Sequence, residues 1–261
     1  PYAAWLAPLL RLRDTIPGAA WISEKITGFT AKRPLPKWQR NWFKLDELPA
    51  AAQTSARPVI LFADTFNRYL EPENLRAAVR VLRAAGYDVF APAPAGGRPY
   101  CCGRTYLSAG MVDKARAEAE RLVTALYPLA RSGVRIVGLE PSCTLALRDE
   151  VPALLGTAQA EAVAEATLTF AELVEADRPE FPVPAAAARR PVKLHGHCHQ
   201  KAFDLVKPAE AVLRDIAGAE VEVIETSCCG MAGAFGYGRD TYDVSIRMAE
   251  ASLLPAVRAA P

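Results

Sequence analysis

From position 58 onward, short apolar runs alternate with longer segments in which apolar residues recur every three or four positions. A short apolar run is typical of a buried strand, and the longer spacing is typical of a helix with one buried face. The runs predict strands over 59–63, 88–91, 135–139, 192–194 and 220–224. The spacing predicts helices over 74–85, 107–130, 144–176 (interrupted near Gly156), 208–217 and 241–251. Strands that alternate with such helices favour parallel sheets joined by right-handed crossovers, so we expect an α/β fold.

The strand–helix plan restarts after a Pro- and Ala-rich stretch at 179–190. Asp64 follows the first strand of the first half, and Cys198 follows the first strand of the second half. Each half also carries one Cys-Cys-Gly tripeptide after its second strand. We therefore predict two pseudo-repeated parallel-sheet α/β units, 57–178 and 179–261, whose Cys-Cys-Gly loops meet at one cleft. In this division, residues 1–56 are a short helical segment that precedes both units.

The first segment is distinguished by its tryptophans, because all four in the chain lie within it, at Trp5, Trp21, Trp38 and Trp42. The last two are four positions apart and can share one face of a helix. We expect short helices that pack on the chain's own core or against a further domain. Peripheral contact with a membrane surface is the alternative.

The overall charge argues against a nucleic-acid partner. The chain has 31 basic and 29 acidic residues and a formal charge of +2, and no run of Lys and Arg stands out. Apolar residues make up 51% of the 261 positions, which is enough for a sizeable core. Because the sequence opens with Pro1 rather than Met, we expect a fragment or a processed product.

All six cysteines and all three histidines fall in four short loops that follow predicted strands. The cysteines are Cys101, Cys102, Cys143, Cys198, Cys228 and Cys229. Six cysteines are too few for a disulfide scaffold, and adjacent cysteines bridge each other poorly. We therefore place the protein in a reducing compartment, the cytoplasm, with its thiolates held as ligands.

Thiolates favour zinc or iron–sulfur clusters, and loops that follow parallel strands gather at one edge of a sheet. We accordingly predict that the six cysteines are metal ligands. The chain has no CxxC spacing, so neither a ferredoxin run nor a zinc ribbon is indicated. The alternative is that these are buried structural thiols.

Four residues next to the cysteines have candidate supporting roles at a cofactor. Gly103 and Gly230 would let the backbone approach a cluster closely and adopt positive φ angles. Arg104 and Lys201 would neutralise a negatively charged cluster, or else they are solvated surface cations.

Three further side chains are secondary candidates for metal ligands. Asp64 would bind iron through its carboxylate or would cap the helix that follows it. His197 and His199 would bind the metal or would cap the start of a helix and so orient Cys198. If the backbone is extended here, His195, His197 and His199 share a face and Cys198 points the opposite way.

Five motifs are similar to those of a known family: LFADTFNRYLEPENLRAA, YCCGRTYLSAG, VGLEPSCTLALRDE, HGHCHQKAF and SCCGMAGAFGYGRDTYDVS. They resemble the cysteine-rich CCG domain found in the iron–sulfur component of glycolate oxidase, in lactate-utilisation proteins and in the B subunit of heterodisulfide reductase. The resemblance is closer to the C-terminal region of fused FAD- and (Fe–S)-binding 2-hydroxyacid dehydrogenases of the D-lactate or D-2-hydroxyglutarate type.

The resemblance implies an iron–sulfur electron-transfer part of a FAD-linked dehydrogenase. The FAD and the ferredoxin-type clusters would lie in other domains or subunits, and electrons would pass on to a quinone or another acceptor at the inner face of the membrane. This chain alone would then not oxidise a hydroxyacid.

The chain departs from the family's cysteine pattern in three ways. Asp64 stands where a leading cysteine is expected, Cys143 stands alone where a CxxC is expected, and the second half lacks the final pair. One cluster or metal between the halves is therefore easier to support than two. The alternatives are thiol or disulfide chemistry at a cluster, and a zinc-stabilised module that only docks partners.

Overall fold

Two separate parallel sheets organise the chain, as a computed structural model that describes residues 2–53, 57–179, 191–226 and 228–260 shows. The first has the strand order β2-β1-β3-β4, with β1 Pro58–Phe62, β2 Asp88–Phe90, β3 Arg135–Gly138 and β4 Thr167–Thr169. The second pairs β5 Pro191–Leu194 with β6 Glu220–Val223. We name residues 57–179 the first unit and residues 191–260 the second unit.

Helices alternate with the strands of both sheets. Those before and within the first unit are α1 Tyr2–Trp5, α2 Ala7–Thr15, α3 Ala19–Thr27, α4 Thr65–Tyr69, α5 Pro72–Ala84, α6 Arg104–Ser108, α7 Val112–Arg131, α8 Pro141–Ala146, α9 Glu150–Leu155, α10 Ala158–Ala166 and α11 Phe170–Asp177. Those of the second unit are α12 Cys198–Ala202, α13 Val206–Ala211, α14 Tyr242–Glu250 and α15 Leu253–Arg258. The parallel α/β architecture with short preceding helices confirms the predicted fold class.

The first sheet is covered on both faces, which explains why its strands are almost wholly apolar. Ile60 lies in a cluster with Leu122 of α7, and its neighbour Leu61 lies in a second cluster with Leu75 of α5. Successive residues of a strand point to opposite faces, so one strand contributes to two cores. The strands of the second sheet are only partly buried.

Three predicted helices were wrong in their extent. The predicted helix over 107–130 is divided into α6 and α7 at Gly110, whose φ of +73° does not fit a right-handed helix. The predicted stretch over 144–176 contains four helices and the short strand β4, whose β-branched Thr167 and Thr169 are buried. The helix predicted over 208–217 starts as α13 and ends in a π-helical turn, Val212–Ile216. Residues 180–190 of the predicted linker lie outside the described residues, so the unit boundary stays a prediction.

The segment after α3 is bound to both units. Thr30 N donates to Tyr237 O at 2.8 Å in the second unit, beside an antiparallel bridge between Phe29 and Gly238. Gln39 N donates to Tyr69 O at 2.8 Å in the first unit. Residues 29–39 thus contact both units of the chain.

Among the described residues, no helix combines the length and the apolar character that crossing a membrane requires.

Candidate functional site

The three cysteines of the first unit lie together at the carboxyl ends of its strands. Cys101 and Cys102 follow β2, and Cys143 lies in α8 just after β3. The thiol of Cys102 hydrogen-bonds to the thiols of both Cys101 and Cys143. Cys102 and Cys143 are 5% and 4% exposed, so the contact is inside the protein. The expected convergence of these two loops is confirmed.

The environment of these thiols keeps them protonated. The hydrogen bond to Cys102, together with burial, raises the pKa of Cys101. The hydrogen bond to Cys101 lowers the pKa of Cys102, but the bond to Cys143 and burial outweigh it and leave that pKa raised. The pKa of Cys143 is lowered by its bond to Cys102 but raised overall by burial and by the nearby Asp64 and Glu140. A metal bound here would have to displace thiol protons.

Asp64 is fully occupied as a helix cap. It is 1% exposed and precedes α4, with Oδ1 accepting from the amide nitrogens of Phe66 and Asn67, each at 2.9 Å. Its Oδ2 accepts from Asn67 Nδ2 at 2.7 Å. Burial raises the pKa of Asp64, while these hydrogen bonds oppose the shift. Of its two predicted roles, the structure shows the N-cap.

The second unit holds its cysteines more openly. Cys198 is the first residue of α12 and is exposed, while Cys228 and Cys229 are half-buried. Gly230 N donates to Cys228 Sγ at 3.3 Å. This amide hydrogen bond to sulfur is of the kind expected to stabilise a thiolate or a cluster.

His197 caps α12 and contacts the first unit. Its Nδ1 accepts from His199 N at 3.2 Å, while Gln200 Oε1 accepts from His197 N at 3.0 Å. Burial lowers the pKa of His197, which favours the neutral ring. Because Nδ1 accepts a hydrogen bond, the proton of the neutral ring would lie on Nε2. That nitrogen lies 3.2 Å from the hydroxyl of Ser142, the residue before Cys143. The predicted role as a helix-start cap is confirmed.

His199 makes the second contact between the units. Its Nδ1 lies 3.4 Å from Arg104 Nη1, and its Nε2 lies 3.8 Å from Glu150 Oε1. Arg104 also forms an ion pair with Glu150. Since α12 packs against α8, Cys198 is held beside the part of the first unit that carries Cys143.

The remaining predicted residues have structural partners. Lys201 Nζ donates to the carbonyl and hydroxyl oxygens of Thr226 at 2.6 and 2.8 Å, and His195 Nδ1 lies 3.0 Å from the same hydroxyl. Lys201 thus fixes the segment that leads to Cys228. The predicted role of Arg104 and Lys201 in neutralising a cluster stays a prediction.

The two Cys-Cys-Gly glycines are required by helix packing. A Cβ on Gly103 would lie 2.9 Å from the carbonyl oxygen of Ala115 in α7, and one on Gly230 would lie 2.2 Å from that of Ser245 in α14. Their φ angles are +80° and +74°. The close approach and the positive φ angles are as expected, but the group that approaches each glycine is the backbone of a later helix of the same unit, α7 for Gly103 and α14 for Gly230.

Sequence reasoning missed the residues that complete the contact between units, Ser142 and Glu150. Ser142 could have been suspected because it precedes Cys143. Glu150 carries no local signal, because its partner Arg104 is 46 positions away.

Within the described residues, no three His, Cys, Asp or Glu side chains are arranged to hold a metal ion. In the first unit, Cys102 interacts with Cys101 and with Cys143. Their chemistry as a buried set of soft donors nevertheless fits iron or zinc, and a fourth protein ligand would have to come from another loop. Which residues bind a metal therefore stays a prediction.

Comparison with known proteins agrees with the cysteine pattern. The family model of the cysteine-rich CCG domain matches residues 64–148, which include the thiol cluster of the first unit. The C subunit of anaerobic glycerol-3-phosphate dehydrogenase from Escherichia coli K12 is 26% identical over 247 residues, covering 92% of this chain and 60% of that protein.

A second kind of relative is a larger dehydrogenase. D-2-hydroxyglutarate dehydrogenase of Pseudomonas putida KT2440 is 26% identical over 264 residues, covering 95% of this chain and 25% of that protein. The corresponding Escherichia coli K12 enzyme is 26% identical over 213 residues, covering 80% of this chain and 20% of that protein. The chain therefore spans a part of each relative, and its residues 64–148 match the model of the cysteine-rich CCG domain, the family that the sequence motifs resemble.

Proposed function

We propose that this chain is an iron–sulfur electron-transfer part of a dehydrogenase. The observation that supports it most directly is the buried contact of Cys102 with Cys101 and Cys143 at the strand ends of a CCG domain. Thiols scattered as core residues would have no reason to meet at the edge where parallel sheets bind ligands. The similarity to parts of dehydrogenases points the same way.

The proposed ligands come from both units. Cys101, Cys102 and Cys143 would supply the first unit's donors, and Cys198, with the Cys228–Cys229 pair, those of the second. When bound, an iron–sulfur cluster would supply one-electron transfer, with a potential that depends on burial and on hydrogen bonds to sulfur. The contacts of His197 and His199 would hold Cys198 near the first unit, and Gly230 N would donate toward the ligand sulfur.

The substrate would be oxidised elsewhere in the parent protein or complex. We propose a FAD-linked oxidation of a D-2-hydroxyacid, with flavin and ferredoxin-type domains or subunits as the electron donors to this chain. The similarity to part of a glycerol-3-phosphate dehydrogenase makes a phosphorylated alcohol the second candidate. In both cases a dehydrogenase would remove electrons from a hydroxylated substrate. The proposed role of this chain, which is to transfer those electrons, would be the same. The acceptor would be a quinone or another carrier, reached by peripheral contact at the inner face of the membrane.

A zinc-stabilised docking module is the competing proposal. Three neighbouring thiols also suit zinc, which needs four ligands and performs no redox chemistry. Thiol or disulfide chemistry at the cysteines is a third proposal, and it would need a pocket that admits a thiol substrate. Two surface hollows, of about 310 and 290 Å³, lie away from the cysteines and are lined by Tyr127 and Arg131 and by Arg13 and Pro34.

The experiment is a measurement of iron, zinc and acid-labile sulfide, with a visible spectrum, on protein purified without oxygen. Iron with sulfide and a broad absorption near about 400 nm that reductant bleaches would support electron transfer. Zinc without sulfide would support the docking module. Protein with all six thiols free and no metal uptake on reconstitution would contradict both.

A further inference from the structure

The helices α1–α3 expose an unusual number of large apolar side chains. Exposed fractions reach 75% for Trp5, 62% for Leu9, 60% for Trp21 and 79% for Ile26. Further exposed apolar residues in or beside these helices are Leu6, Leu10, Leu12, Ile16 and Ile22. We call these nine side chains the N-terminal apolar surface. Exposed apolar residues are common singly, but a group of this size marks an interaction site.

These helices are not detached from the protein. α1 packs on α2 and α2 on α3, and Ala4 and Ala7 are completely buried. The chain that follows α3 is fixed to the second unit through Thr30 and to the first through Gln39. The N-terminal apolar surface is therefore presented by an anchored element, while α3 itself buries none of its residues.

Charge distinguishes this segment from the rest of the chain. Residues 2–44 contain eight Lys and Arg and two acidic residues, a net charge of +6, whereas the remainder of the chain has 23 basic and 27 acidic residues, a net charge of −4. The exposed cations of the segment are Arg11, Lys25, Lys32, Lys37, Arg40 and Lys44, of which Lys32 is paired with Asp243 at 2.9 Å.

The two acidic side chains of the segment are used internally. Asp14 pairs with Arg13 and accepts from Leu35 N at 3.2 Å, and Glu24 Oε2 accepts from Ala31 N at 2.6 Å. Lys25 Nζ lies 5.5 Å from the ring centroid of Trp21, so a cation stands directly beside the exposed apolar residues.

Together these features fit a lipid surface that carries negative charge. Helices with exposed Trp, Leu and Ile beside basic side chains bury their apolar face at the headgroup boundary and are attracted by anionic lipids. α2 and α3 have nine residues each and are too short to cross a bilayer, so they would lie along it. We propose that the N-terminal apolar surface docks this protein on membranes that contain anionic phospholipid.

The inference extends the membrane contact of the proposed function, but none of the nine side chains is a proposed metal ligand, so its test does not depend on any bound metal. The protein is sedimented with vesicles of phosphatidylcholine, with or without about one third phosphatidylglycerol, and tryptophan emission is recorded. We expect binding to the anionic vesicles with a blue shift of tryptophan emission, and weaker binding as salt is raised.

Two variants and a control test the surface. Leu9→Ser with Ile26→Ser should weaken binding at least about tenfold through lost apolar burial. Lys37→Gln with Arg40→Gln should weaken binding to anionic vesicles and reduce its salt dependence. Val257→Ser replaces an apolar side chain that is 51% exposed on α15 and should bind like the parent protein. The substituted positions are exposed, and circular dichroism checks that each variant is folded.

Two outcomes would overturn the proposal. One is absence of binding to anionic vesicles. The other is a self-association in solution that Leu9→Ser with Ile26→Ser abolishes, together with equal vesicle binding by parent and variant. That second result would assign the surface to a second copy of the chain.

Discussion

Gly103 and Gly230 share a left-handed backbone conformation, with φ angles of +80° and +74°, and each meets the backbone of a helix that follows it in its own unit. The Cys-Cys-Gly tripeptide is thus a packing device as well as a source of thiols. The glycine lets the cysteine loop lie directly on the helix, which fixes the two preceding thiols relative to the sheet. The equivalence of the two contacts also supports the predicted repeat.

Substituting these glycines should therefore lower the free energy of unfolding more than substituting a glycine that has open space around it. Gly230→Ala combines a positive φ with a Cβ 2.2 Å from Ser245 O. We expect it to lower the free energy of unfolding by about 3 kcal/mol or more. Gly110→Ala is the matched control, because Gly110 has φ +73° and no atom within 4 Å of the added Cβ, so strain of only about 1–2 kcal/mol applies. Urea unfolding measures both, and equal losses would contradict the packing role.

Metal content should respond to the cysteines of both units. We expect Cys102→Ser and Cys229→Ser each to abolish metal binding, because both are proposed ligands, while circular dichroism remains largely that of the parent. Ser132→Ala serves as the control, since Ser132 is exposed at the end of α7 and is neither a proposed ligand nor a contact between the units. Analysis of iron, zinc and sulfide after reconstitution is the measurement. Unchanged metal in either cysteine variant would remove that residue from the ligand set.

Variants of Asp64 can show whether this residue acts as a helix cap or as a metal ligand. Asp64→Ala should lower the free energy of unfolding by about 1–2 kcal/mol, because the amide nitrogens of Phe66 and Asn67 lose their acceptor. Asp64→Asn keeps an oxygen acceptor and should lose clearly less stability. If Asp64 were a ligand, Asp64→Asn would instead reduce metal content at nearly unchanged stability. Chemical unfolding and metal analysis of the same samples separate the two results.

Acid should weaken the edge of the first sheet that lies opposite the cysteines. Asp177 Oδ1 and Oδ2 accept from the guanidinium of Arg135 at 2.9 and 2.7 Å, and Oδ2 also accepts from Arg57 at 2.7 Å and from the hydroxyl of Tyr87. These hydrogen bonds, that of Arg135 above all, hold the pKa of Asp177 well below its ordinary value, while burial opposes them.

The depressed pKa sets the direction of the pH effect. A carboxyl group with a lower pKa in the folded state stabilises the fold above its unfolded pKa, near about 3.9, and loses this contribution as pH falls further. Asp177→Asn should therefore lower the free energy of unfolding by about 2 kcal/mol at pH 7, with the difference from the parent shrinking below about pH 4. Urea unfolding at several pH values tests this, and a difference that does not change with pH would refute it.

The sequence predicted the elements whose pattern is local. Val59 to Phe62 form an unbroken apolar run because this strand is buried on both faces, and the predicted strand was correct within one residue at each end. Strand β4 was not predicted, because Thr167 to Thr169 are only three residues between two helices and are too few to show an alternation of apolar and polar positions. Their burial comes from pairing with β3, a contact between distant parts of the chain.

In the candidate site, too, the local features could be predicted from the sequence and the contacts between distant segments could not. The rule that loops after parallel strands gather at one edge correctly brought Cys102 near Cys143. The cap by His197 was also predictable, since a polar residue directly before a helix can bind its first amides. The pairing of Arg104 with Glu150 and His199 was not, because it depends on how two units meet. Ordinary sequence patterns carry little information about that relationship.

The backbone hydrogen bonds of Thr30 and Gln39, which join the segment after α3 to the second and first units, limit which parts of the gene can be exchanged by recombination. A two-stranded sheet is marginal without further packing, and part of the second unit's packing comes from residues 28–33, encoded far upstream of it. A gene exchange that replaced only residues 191–260 would leave the incoming unit against an unmatched segment. The second unit and the segment after α3 should therefore be inherited together, although the whole first unit separates them in the chain.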